Sequence, residues 1–70
     1  MLLADVTPNQ KFTIVSIKKN TLKIHLLKMG IQIGDVIVIN KKISNGPTLL
    51  KHNLQQIVLG NENTKLIEVK

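Results

Sequence analysis

Short runs of Ile, Leu and Val, broken by turn residues roughly every ten positions, leave this chain few architectures to choose from. In Thr7-Pro8-Asn9-Gln10, Pro8 sets φ at the second turn position and Asn9 tolerates the left-handed region at the third. Residues 11–18 then read as a strand. After Ile33-Gly34-Asp35, where Gly34 supplies a positive φ, Val36-Ile37-Val38-Ile39 is continuous and β-branched, the pattern of a well-covered strand. Asn45-Gly46-Pro47 turns the chain into a strand over 48–52, Asn53 reverses it into 54–59, and 66–69 closes the series. Five short strands of this kind predict a small barrel, because closure removes edges that so small a sheet cannot otherwise protect.

One segment fits two periods. Leu22, Ile24 and Leu26 alternate as in a strand, whereas Leu22, Leu26 and Met29 follow helical spacing. The ends favour a helix over 22–29: Asn20 or Thr21 can cap its first amides, Lys28 suits its last turn, and Gly30 suits a left-handed C-terminal position. Residues 61–64 read as a loop or one helical turn, with Asn61 as the cap.

Seventy residues hold one core and so one domain, 1–70. A core this size yields about 3–5 kcal/mol. There is no Cys to add a disulfide, to act as a nucleophile or to supply thiolate for a metal. Phe12 is the only aromatic residue, which favours a tight aliphatic interior over a ring-lined pocket. Met1 to Asp5 lacks the basic flank and apolar stretch of a secretory leader, and no apolar run approaches membrane-spanning length; a cytoplasmic protein without direct membrane insertion is expected.

The net charge of +6 comes from ten lysines and no arginine. Guanine readout leans on Arg and single-strand binding on stacked aromatic rings, so nucleic acid is not the expected partner; the lysines read first as a solvated surface. Catalytic chemistry is poorly supplied. The carboxylates Asp5, Asp35, Glu62 and Glu68 form no pair in sequence, and Gly30-Ile31-Gln32-Ile33-Gly34 lacks the Lys-Ser or third glycine of a phosphate loop. His25 and His52 have no acidic or thiol neighbour within a few residues and read as surface histidines, not metal ligands. No enzyme activity, cofactor or metal site is expected. Five of the eight residues 22–29 are apolar, more than one buried stripe requires, so part of this helix is expected either to face a partner or to be absorbed by the core.

Leu26 to Val38, read as Leu-Leu-Lys-Met-Gly-Ile-Gln-Ile-Gly-Asp-Val-Ile-Val, resembles the Leu-x-x-Leu-Gly-(Leu/Ile/Met)-x-Pro-Gly signature and following apolar strand of the FeoA family. Met29 stands at the second Leu of that signature and Ile33 at its Pro. Leu3-Ala4-Asp5-Val6-Thr7-Pro8-Asn9, Asn45-Gly46-Pro47, Ile57-Val58-Leu59 and Leu66-Ile67-Glu68-Val69 are similar to further family segments in the same order, so the resemblance runs along nearly the whole chain. Lys23 stands where the family often has Arg, and lacks that residue's planar fork.

The resemblance implies a mainly β, SH3-like barrel of five strands, with 22–29 as its helix. It also implies an accessory role in bacterial ferrous iron uptake, with a membrane Fe(II) permease carrying a cytosolic GTPase domain as the protein partner. Such a protein would be cytoplasmic, held at the inner face of the membrane through that partner. Contact residues are expected at Lys23, Leu26, Lys28, Met29 and Ile31 on the helix and its exit, and at Lys41, Lys42, Asn45, Gly46 and Pro47. Two other readings use the same residues: a basic barrel on RNA or DNA, and a regulatory domain related to the C-terminal domain of iron-dependent repressors. The chain carries no helix-turn-helix segment for the latter. Self-association through an open strand edge is a further expectation.

Overall fold

The computed structural model describes residues 1–70. A 3-10 turn, Leu3–Asp5, precedes β1 (Lys11–Ile17), α1 (Asn20–Lys28), β2 (Val36–Lys42), β3 (Thr48–His52), β4 (Gln55–Leu59), α2 (Asn61–Thr64) and β5 (Ile67–Val69). The strands form one sheet in the order β4-β3-β2-β1-β5, with every neighbouring pair antiparallel. The mainly β, SH3-like expectation holds in its strands and main helix. Closure does not: β4 and β5 are not paired, and the sheet keeps two ends.

Curvature comes from two irregularities, one between Ile14 and Ser16 in β1 and one between Ile39 and Lys41 in β2. An extra residue bends a strand and shifts its alternation. In β1 this lets Phe12, Ile14 and Ile17 all point inward although strict alternation would turn Ile17 outward. The core draws on all five strands, on Leu22 and Leu26 of α1, on Ile31, and on Leu3 and Val6 near the start. Eight of its aliphatic side chains enclose a void of about 10 Å³, at the lower limit of what one water requires.

The turn residues behave as the sequence implies. Asn9, Asn45 and Asn53 take φ of 66°, 56° and 56°, and Gly30 and Gly34 take 82° and 97°. At the end of α1, Gly30 N–H donates to the Leu27 carbonyl and Ile31 N–H to that of Leu26, both at 2.9 Å. These are the two bonds of a Schellman motif, and the buried pair Leu26 and Ile31 supplies its apolar contact.

The helix starts differ from expectation. Asn20 already lies inside α1, its N-cap is Lys19, and no side chain caps it; Asn61 likewise lies inside α2, with Gly60 at the N-cap. In α1 the Lys19 carbonyl instead accepts from Lys23 N–H at 3.0 Å, so the first turn closes through backbone alone. Thr64, the last residue of α2, is buried, and its hydroxyl donates to the Asn61 carbonyl at 2.9 Å.

Candidate interaction surface

α1 sits against the core by one stripe. At about 100° per residue, Leu22, Leu26 and Met29 fall on one side; the first two are buried and Met29 packs partly buried against them. The opposite meridian carries Ile24 and Leu27, 46% and 55% exposed. Lys23 and Lys28, both exposed, flank this pair on either side. The helix is thus apolar on two faces, one filled by the core and one open to solvent. Positions three apart lie about 5–6 Å apart at Cβ, so Ile24 and Leu27 form one continuous ridge between two cations.

Several expected contact residues are elsewhere. Leu26 and Ile31 are 1% and 2% exposed and belong to the core, so neither presents a surface to a partner. Their Schellman pairing is the reason. Lys42 is half-buried, and its ammonium donates to the carbonyls of Ala4 and, at 3.2 Å, of Val6, holding the Leu3–Asp5 turn against β2. Lys41 is exposed.

Asn45, Gly46 and Pro47 do gather, but with Gly60 to Asn63 and not with α1, around an open polar depression of about 370 Å³. At Gly46 an added Cβ would stand 2.9 Å from Ile43 Cγ2, so glycine is what lets the 43–47 turn close. The two halves of the expected contact set therefore do not share this depression.

One pairing was invisible to local spacing. His52 is buried at the end of β3, and its Nε2 lies 3.0 Å from Asp35 Oδ2. The same oxygen accepts from Gln32 N–H at 3.0 Å. Far from being a surface residue, His52 ties β3 to the loop between α1 and β2. No three His, Cys, Asp or Glu side chains converge anywhere, so this pair is a structural tether without a third ligand. No helix is long and apolar enough to cross a membrane.

A family model described as the FeoA domain matches residues 1–70. Among solved structures, the crystal structure of an iron uptake regulatory protein (FeoA) is 20% identical with a TM-score of 0.88, over 100% of this chain and 93% of that one. The solution structure of iron(II) transport protein A from Clostridium thermocellum is 26% identical with a TM-score of 0.86, over 100% of this chain and 44% of that one. The manganese regulator SloR shares the fold at 14% identity and a TM-score of 0.86, this chain spanning 34% of its length. No curated protein sequence matches the chain.

Proposed function

The chain belongs to the FeoA family, a family of ferrous iron transport, and on that premise we propose that it is a non-catalytic accessory protein that docks on the cytosolic part of a membrane Fe(II) permease. The observation that carries the docking reading is the Ile24–Leu27 ridge between Lys23 and Lys28. A free-standing domain gains nothing by holding two large aliphatic side chains on the solvent meridian of a nine-residue helix, whereas a partner groove of apolar floor and acidic rim buries them and pairs the lysines. The core offers no ligand-sized cavity, which supports a protein partner over a small molecule.

Pull-down of the permease's cytosolic region, including its GTPase domain, tests this. Wild type is expected to bind. Ile24→Glu with Leu27→Glu is expected to remain folded, lose binding, and fail to restore iron uptake to a strain deleted for this protein. Absence of binding by wild type, or binding and uptake undiminished in the double variant, overturns the reading.

A further inference from the structure

The sheet protects one end and leaves the other bare. Beyond β5, Leu2 bridges to Glu68 and Val69 N–H donates to the Met1 carbonyl at 2.7 Å, so that edge is occupied by the chain's own first residues. Nothing pairs beyond β4. Small sheets blunt such an edge with lysine, proline or a bulge. Gln55–Leu59 has none of these, and its register with β3 is unbroken over five pairs. Leu54 and Val58, 95% and 64% exposed, are the two most exposed large aliphatic side chains in the molecule.

From this edge we infer that the chain forms a two-fold dimer in which β4 pairs antiparallel with β4 of a second copy, independently of the permease reading. His52 and Gln55 flank a two-residue connection and form its closing hydrogen-bonded pair. Alternation then turns the N–H and C=O groups of Gln56 and Val58 to the free edge. An axis through Ile57 sets Gln56 opposite Val58 of the second copy, so those two residues exchange both bonds, twice over by symmetry. The same register sets Leu54 opposite Gly60, whose missing side chain leaves room for it. On the outer face Val58, beside Leu49 of its own β3, packs across the stem of the opposing Gln56 and lies diagonal to the second copy's Val58.

Charge favours this occupant. β1, β2 and β3 carry Lys11, Lys41, Lys42 and Lys51, β5 carries Glu68, and β4 alone carries no charge. With the β5 edge occupied by Met1 and Leu2, β4 is the free edge, and two molecules of net charge +6 can meet along it without opposing lysines in the ladder. The remaining repulsion between copies is long-range, so salt strengthens the pairing by screening. An acidic partner strand would instead be released by salt.

Hydrogen exchange by NMR and sedimentation, on the full chain from about 10 µM to about 1 mM, test the pairing. The expected result is a dimer that tightens with salt, with the Gln56 and Val58 amides gaining protection as concentration rises. Val58→Lys, at an exposed position, should keep the circular dichroism spectrum while weakening the dimer about tenfold or more. A chain that stays monomeric throughout overturns the inference. So does a dimer that leaves those two amides unprotected, or one that weakens with salt.

Discussion

Leu26 and Leu27 are adjacent, chemically identical, and placed by the helix on different faces, one buried and one exposed, which makes them a sharp test of how α1 is used. Leu26 is 1% exposed and lines the small core void; Leu27 is 55% exposed. Leu26→Ala removes buried methyl and methylene groups and enlarges that void, at a cost of about 2–5 kcal/mol. Against the roughly 3–5 kcal/mol that a core of this size yields, this one change removes a large share of the stability. With a urea slope of about 1 kcal/mol per molar, the unfolding midpoint should fall by about 2 M or more. Leu27→Ala should stay within about 0.5 kcal/mol, because little apolar surface is returned to water and Ala is the better helix former. Urea titration followed by far-ultraviolet circular dichroism is the assay, since the chain has no Trp or Tyr to report by fluorescence. Binding to the permease's cytosolic region should show the reverse order once each variant is compared at equal folded fraction. Equal stability losses for the two variants, or a loss below about 1 kcal/mol for Leu26→Ala, would refute the assignment of core and outer faces.

Three further outcomes follow from single contacts. Asp35→Ala removes the acceptor shared by His52 and the Gln32 amide, leaving a buried imidazole unpartnered, and should cost about 1–3 kcal/mol in a denaturant titration. Gly46→Ala drives a Cβ to 2.9 Å from Ile43 Cγ2 and should destabilise by about 1–3 kcal/mol, read as a lower thermal midpoint. Lys42→Met keeps the aliphatic stem but loses the donor to the Ala4 and Val6 carbonyls; faster hydrogen exchange of the Asp5 and Val6 amides is the expected signature, with the sheet amides unchanged.

Much of the architecture is legible because backbone conformation and turn chemistry are local. Asn9, Asn45 and Asn53 take the left-handed region for the reason their type suggests, and Gly30 ends α1 as its place after an apolar helical pattern requires. Helix phase was also available. Once Leu22 and Met29 face the core, Leu26 must join them and Ile24 must oppose them; assigning Leu26 to the contact surface overlooks that geometry. What could not be read was non-local. Asp35 and His52 are seventeen positions apart, and their meeting depends on where β3 passes the loop after α1. The anchoring of Lys42 on the Leu3–Asp5 turn has the same origin. Closure was inferred from the hazard of open edges, yet the chain settles one edge with its first residues and leaves the other uncapped.

The bond from Val69 to Met1 joins positions 68 apart, so the backbone forms a ring held by hydrogen bonds although the sheet does not. Closing a loop of that length costs about 4 kcal/mol in chain entropy, and little is gained until both end segments are in place. β1 to β4 are instead linked through near neighbours in sequence. Docking of β5 and the Met1–Leu2 segment is then the step that waits for the rest. A covalent linker joining residue 70 to residue 1, with the chain left uncut elsewhere, would make that distant closure a local one while keeping the β2–β3 and β3–β4 connections short, and should speed folding.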